Sequence, residues 1–161
     1  MPFESGVNIE LTDATGAASN AQLADLTQNV ARALSHLKCS GSIQIRIVDD
    51  VEMAAAHEEF AGVPGTTDVL TFDMSDPDAD RAVLDADVLI CRDEALRQSG
   101  ERGHSPMDEL LLYILHAVLH CLGHSDDTES GYRAMHETED SVLTAIGIGP
   151  IFGDRGGFQP H

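Results

Sequence analysis

The segment from Met107 to Leu122 constrains the fold of this chain more than any other part of its sequence. It reads MDELLLYILHAVLHCL, so apolar residues occupy nearly every side of a helix. Ser105 suits the N-cap, Pro106 suits the first helical position, and Gly123 is placed to end the helix. Because a helix that is apolar all round has to be covered by other elements, we predict that it lies at the centre of the fold.

Strand and helix patterns alternate irregularly around this segment. Apolar alternation or short apolar runs predict four strands, at Val7–Leu11, Ile43–Val48, Asp68–Phe72 and Ala86–Cys91. Apolar spacing and capping residues predict four more helices, starting at Ser19 or Asn20 and ending at Leu37, then Asp50 to about Phe60, Asp93–Gln98 and Thr128–Ile146. The fold class is therefore α/β (α+β), with a small mixed four-stranded sheet and helices packed around the central helix.

The length of 161 residues suits one domain, which we place at residues 1–148. The remaining residues, 149–161, include four glycines and two prolines, and we predict a flexible tail there. Three cysteines without a close pair argue against a disulfide framework and against a zinc knuckle built from cysteine. With neither a signal-peptide pattern nor an apolar run of membrane-spanning length, the expected location is the cytoplasm, away from membranes.

The chain is strongly acidic, with 28 Asp and Glu against 9 Lys and Arg and a formal net charge of −19. This excludes proteins that bind nucleic acid through a broad basic surface, and we expect no DNA partner. The chain would have to bind RNA through a local basic or metal-bearing cleft, or through a partner protein. We also hypothesise that the excess of carboxylates suits a salty cell interior, where screening weakens repulsion.

His116 and His120 lie four residues apart on the central helix, so both imidazoles share one face. Two histidines on one helical turn are a standard way to offer two nitrogen ligands to zinc. The alternative is a pair of core histidines that are neighbours by chance. The glycine stop and the polar residues that follow favour the metal site.

A third ligand is expected after Gly123, where the chain can fold back beside the histidines. His124, Asp126 and Asp127 are all candidates from the residues alone. The position after the first histidine is Ala117, where the zinc peptidase pattern HExxH carries its general base. Ordinary peptidase chemistry is therefore disfavoured, although a metal here could still polarise a phosphoryl oxygen.

The run DELLLYILHAVLHCLGHSDD, Asp108–Asp127, resembles the signature HGxLHLxGYDH of the YbeY family of bacterial endoribonucleases. Three other segments resemble the family in the same order: IQIRIVDDVEM at Ile43–Met53, TTDVLTF at Thr66–Phe72 and LDADVLIC at Leu84–Cys91. The agreement in order and spacing extends from about residue 7 to residue 147. Each strand motif is weak alone, but together with the histidine motif they are specific.

The resemblance implies metal ligands at His116, His120 and Asp126, with His124 as the second choice for the third position. It implies one zinc ion, or another divalent metal, per chain. It further implies a metal-dependent hydrolase that cleaves single-stranded RNA, matures the 3′ end of 16S ribosomal RNA and takes part in ribosome quality control. Ribosomal RNA and small-subunit ribosomal proteins would be the partners.

The chain departs from the family pattern at two places. The third ligand position holds Asp126 where the family usually has histidine, and the position of an arginine implicated in ribonuclease action holds Ala61. Arg46 is the candidate for supplying the positive charge, and the alternative for Arg46 is an exposed strand residue. Asp68 is a catalytic candidate because the family's cleft is lined by that strand; the alternative is a carboxylate that bonds to its own loop.

Two other functions stay open. One is a zinc peptidase or amidase that uses the same histidines. The other is a non-catalytic ribosome-associated factor, whose structural metal would be closed by His116, His120, His124 and Asp126. Asp127 is expected to cap the last helix, and the alternative is a carboxylate that supports the metal ligands. Other side chains are expected to be structural: Cys91 and Cys121 lie in the core, Cys39 is exposed, and His104 and His136 lie at the surface.

Overall fold

The structure is a computed structural model that describes residues 6–151. The strands are β1 (Val7–Asp13), β2 (Ser40–Val48), β3 (Val69–Asp73) and β4 (Val83–Cys91). The helices are α1 (Asn20–His36), α2 (Asp50–Ala61), α3 (Arg92–Arg102), α4 (Pro106–Cys121) and α5 (Glu129–Ala145). The predicted fold class, one small α/β domain with a four-stranded mixed sheet, is confirmed.

The strands form one sheet in the order β1-β2-β4-β3, with β1, β2 and β4 parallel and β3 antiparallel to β4. Alternation along β2 separates its two faces, because Ile43, Ile45 and Ile47 are buried while Gln44 and Arg46 are exposed. The buried side of the sheet packs against α1, α4 and α5 in the main core. The opposite face is largely polar, so helices cover the sheet chiefly on one side.

The central position predicted for α4 agrees with the structure, since eleven of its sixteen residues are buried. Ser105 is the N-cap and accepts a hydrogen bond from the Asp108 N–H, and Pro106 is in the first turn. Contacts to β3, β4, α1, α3 and α5 surround the helix. Within residues 6–151, no helix combines the length and the apolarity that crossing a bilayer requires.

The turn after α4 reverses the chain through Gly123, whose φ of 102° lies in the left-handed region. The Gly123 N–H donates to the His120 carbonyl at 3.1 Å, and the His124 N–H donates to the Leu119 carbonyl at 3.0 Å. These two bonds are those of a Schellman motif. The motif ends α4 within one turn of His120 and directs the next residues back along the helix.

Several predicted details are corrected by the structure. Thr128, not Asp127, caps α5, because the Thr128 hydroxyl accepts the Gly131 N–H. Cys39 is buried, and its thiol donates to the Leu34 carbonyl. Ile151, the last described residue, is buried and its N–H donates to Asp140, while the division into a domain at residues 1–148 and a flexible tail stays a prediction. The rest of the predicted tail, residues 152–161, lies outside the described residues.

Candidate metal centre

The two histidines of α4 meet at the end of the helix as the sequence predicts. The Nε2 atoms of His116 and His120 lie 3.1 Å apart, and the ring centroids are 4.7 Å apart with the planes nearly perpendicular. The side chains are 22% and 36% exposed respectively. The pair therefore lies at the edge of the core, where it can be reached from solvent.

Asp126 is the third member of this group. Its Oδ2 lies 3.7 Å from His116 Nε2, and its Oδ1 lies 3.9 Å from His120 Nε2. Ligand atoms of the three residues all lie within 4.8 Å of one another, and this is the one such group among the described residues. His124 is outside it. The geometry thus agrees with Asp126, and not His124, as the third ligand.

The donor set and its spacing fit a divalent metal ion. Zinc binds imidazole nitrogen and carboxylate oxygen at about 2.0–2.2 Å, so ligand atoms on a tetrahedral ion lie roughly 3.3–3.6 Å apart. The two Nε2 atoms lie 3.1 Å apart, and they lie 3.7 and 3.9 Å from different oxygens of Asp126, which is close to that range. Two histidines and one carboxylate leave a further position open, which is the arrangement of catalytic zinc sites.

Glu139 of α5 supports His116 from behind. The Glu139 side chain has no exposed surface; its Oε1 accepts a hydrogen bond from His116 Nδ1 at 2.8 Å, and its Oε2 accepts one from His136 Nδ1 at 3.0 Å. A proton on His116 Nδ1 leaves the lone pair on Nε2, the atom that faces His120 and Asp126. This is the carboxylate–histidine pairing that commonly orients metal ligands.

The charges of the site are coupled. Burial by itself lowers the pKa of His116, but the hydrogen bond to Glu139 and the charges of Glu139, Asp68 and Asp126 raise it overall. Burial, together with the charge of His116, lowers the pKa of His120. Burial also works against ionisation of Glu139, yet the hydrogen bonds from His116 and His136 lower its pKa overall. Glu139 is therefore an anion that stabilises imidazole N–H donors.

The two predicted catalytic side chains are placed differently. Asp68 lies just before β3, close enough for its charge to act on His116, and its Oδ1 accepts the Val69 N–H at 2.8 Å. Arg46 lies on the polar face of β2, opposite the face that packs on α4, and forms a double hydrogen bond with Glu52. The structure thus brings Asp68 toward the histidines and leaves Arg46 away from them.

Sequence reasoning missed Glu139, and it was wrong to place His104 and His136 at the surface. His136 bonds to Glu139 and stacks near His116, with ring centroids 6.4 Å apart. His104 contacts a second fully buried carboxylate, Glu109, which also accepts a hydrogen bond from Arg102. A glutamate three residues after a histidine in a predicted helix was the available signal for Glu139, but local spacing does not show that it faces α4.

Several curated proteins are similar in sequence to this chain. The curated endoribonuclease YbeY of Cutibacterium acnes is 33% identical over 146 residues, covering 85% of this chain and 92% of the relative. That of Carboxydothermus hydrogenoformans is 36% identical over 123 residues, covering 76% and 85%. That of Acidothermus cellulolyticus is 40% identical over 114 residues, covering 64% and 69%.

A Thermotoga maritima protein of known solution structure shares the fold, with a TM-score of 0.59 and 18% identity over 85% of this chain and 90% of that one. The family model described as endoribonuclease YbeY matches residues 8–147, which include β2, β3, β4 and the whole histidine turn. On this match and the curated relatives, the chain belongs to the endoribonuclease YbeY family.

Proposed function

We propose that this protein is a metal-dependent endoribonuclease whose reaction takes place at His116, His120 and Asp126. The observation that carries the proposal is the group of three ligand atoms within 4.8 Å, in a chain that matches an endoribonuclease family over residues 8–147. When bound, a divalent metal ion supplies Lewis-acid chemistry at a phosphoryl oxygen. We propose zinc, because imidazole and carboxylate donors with an open position suit that ion.

The protein's own residues prepare the site for this chemistry. Glu139 holds the His116 ring in one orientation and one tautomer, and His136 supplies a second hydrogen bond that keeps Glu139 ionised. Ala117 offers no proton acceptor, so the side chain after the first histidine takes no part in proton transfer. Two carboxylates outside the ligand group raise the pKa of His116 by their charge, Glu139 and Asp68. Because Glu139 is already bonded to two histidines, we propose Asp68 as the group that accepts a proton during hydrolysis.

The substrate proposed is single-stranded RNA, with the 3′ end of 16S ribosomal RNA as the cellular target and the small ribosomal subunit as the partner. The resemblance of the histidine motif and of three strand motifs to the YbeY family supports this. On the same resemblance we propose a cytoplasmic location and a part in ribosome quality control. A net charge of −19 requires contact with RNA to be confined to the metal cleft or shared with a partner protein.

Metal analysis of the purified protein tests the site. Wild type should carry about one zinc ion per chain, whereas His116→Ala and His120→Ala should lose it because each removes one of three ligands. His36→Ala, at the exposed end of α1, is the matched control and should keep the metal. Wild-type protein that takes up no divalent metal would refute the proposed centre.

Cleavage of single-stranded RNA tests the activity. Wild type and His36→Ala should cleave, and His116→Ala should not. Equal cleavage by wild type and His116→Ala would indicate a contaminating nuclease. Metal uptake without cleavage would favour the alternative of a ribosome-associated factor with a structural ion.

A further inference from the structure

Four of the seven arginines in residues 6–151 are ion-paired. Arg46 pairs with Glu52, Arg97 with Asp50 and Glu94, Arg102 with Glu109, and Arg133 with Glu129. Arg81 differs from these four, because no carboxylate oxygen of residues 6–151 lies within 4 Å of it. An exposed arginine without a carboxylate partner is available for an external anion.

Arg81 lies beside the turn that joins the proposed ligands. A Cβ atom built on Gly123 would lie 3.5 Å from Arg81 Cδ and 3.9 Å from Arg81 Nε, so the arginine side chain packs over the bare glycine. Gly123 is three residues from His120 and three residues from Asp126. The Arg81 side chain therefore lies against the turn that joins His120 to Asp126, although it comes from the distant β3–β4 connection.

Other charges of the β3–β4 connection are engaged in local turns. Asp73 accepts hydrogen bonds from the backbone N–H and the hydroxyl of Ser75. Asp76 accepts the Asp78 N–H at 2.9 Å, and Asp80 accepts the Ala82 N–H at 2.9 Å. These bonds hold the acidic side chains against their own backbone. Arg81 adds one positive charge beside this turn, which suits one phosphate and not a long stretch of nucleic acid.

We propose that Arg81 binds one backbone phosphate of the RNA substrate beside the scissile bond and so positions the strand against His116, His120 and Asp126. The inference rests on the proposed function. A guanidinium offers two parallel N–H donors that match phosphate oxygens, which gives orientation as well as attraction. Arg81 would supply the positive charge that is missing at Ala61, from a different element of the fold.

The test compares Arg81→Gln and Arg81→Lys with Arg133→Gln, an equal change of charge on the outer face of α5. Arg81→Gln should raise KM for single-stranded RNA about tenfold, as expected for loss of a charged hydrogen bond. Arg81→Lys should recover part of the loss, and Arg133→Gln should behave as wild type. Both arginines are exposed, so thermal unfolding should be unchanged in all three variants and serves to confirm intact folding.

Binding separates this inference from the proposed activity. RNA affinity is measured by fluorescence anisotropy in a His120→Ala background, with and without Arg81→Gln, over a series of KCl concentrations. Loss of one phosphate contact should reduce the slope of log affinity against log salt by about 0.7. An unchanged slope and KM would overturn the role of Arg81 while leaving the nuclease proposal intact. If the wild-type protein did not bind RNA, both the role of Arg81 and the proposed nuclease activity would be overturned. If the wild-type protein bound RNA but did not cleave it, only the proposed nuclease activity would be overturned.

Discussion

Glu139 is a carboxylate without exposed surface whose two oxygens each accept a hydrogen bond from a different histidine. Removing a carboxylate from water is costly unless it is well paired, and here His116 and His136 supply that pairing. The same bonds fix the direction of the His116 ring. One residue of α5 therefore connects the stability of the core with the geometry of the metal centre.

Glu139→Gln should weaken zinc binding about 10- to 100-fold, because an amide accepts a weaker hydrogen bond from His116 and leaves one polar atom mismatched. Zinc affinity is measured by competition with a chromogenic chelator. Glu137→Gln, an exposed neighbour on α5, is the control and should bind zinc as wild type does. Equal affinity in the two variants would show that Glu139 does not orient His116.

Glu109 is a second carboxylate without exposed surface, held by Arg102 at 2.9 Å and by His104. Arg102→Leu should lower the free energy of unfolding by at least about 2 kcal/mol, because the buried charge loses one of two partners. Arg133→Leu removes a largely exposed pair with Glu129 and should cost under about 0.5 kcal/mol. Urea denaturation of both variants measures the difference. Similar losses would mean that Glu109 is satisfied by His104 alone.

The element that sets the metal site is the short connection between α4 and α5. The connection begins at Gly123, whose left-handed backbone reverses the direction of the chain. Its later residues pack against the first turn of α5. In that turn, Gly131 lies so close to the connection that a Cβ atom built on it would be 2.3 Å from the Ser125 carbonyl oxygen. The chain next to Asp126 is therefore fixed by contact between backbones.

Gly131→Ala should displace Ser125 and with it Asp126, since two backbones have to separate to admit the methyl group. We expect about 1–3 kcal/mol of destabilisation and weaker zinc binding. Gly100→Ala is the matched control, because Gly100 is helical in α3 and an added Cβ there would meet nothing within 4 Å, so it should stabilise by about 0.5–1 kcal/mol. Thermal unfolding and zinc titration measure both effects. Normal zinc affinity in Gly131→Ala would show that the connection adapts.

Local patterns in the sequence predict the elements well, and contacts between distant elements poorly. The caps and apolar stripes of α1 and α4 are encoded within a few turns, so Ser19 and Ser105 cap helices as expected. The pairing of His116 with Glu139 and the approach of Arg81 to Gly123 depend on how α5 and the β3–β4 connection pack. The periodicity of apolar residues within one element does not encode contacts between distant elements. For this reason neither Glu139 nor Arg81 is predicted from the sequence.

At the scale of the whole molecule, negative charge dominates the surface. The polar face of the sheet carries Glu10 and Asp87 beside Arg46, and Arg46 is already ion-paired with Glu52. Self-repulsion of the kind expected at a net charge of −19 opposes compaction, and dissolved salt weakens it. Added salt should therefore stabilise the fold, and RNA cleavage should fall less steeply with salt than it does for a nuclease with a broad basic surface.

Raising KCl from about 0.1 M to about 1 M should raise the melting temperature, because the screening length falls from about 10 Å to about 3 Å. RNA cleavage should persist over the same range, as the hypothesis of a salty interior requires. Melting curves and initial cleavage rates at each salt concentration provide the measurements. Cleavage that is strongest at low salt and falls steeply would refute the hypothesis.

The order of elements along the chain has a consequence for synthesis. All four strands end by Cys91, whereas α4, which covers the inner face of their sheet, begins only at Pro106. A growing chain therefore leaves the ribosome with its strands made and with only α1 available to cover their apolar side. The sheet and its central helix can become stable only together, near the end of translation, and until then the repulsion between acidic chains is what keeps unfinished copies apart.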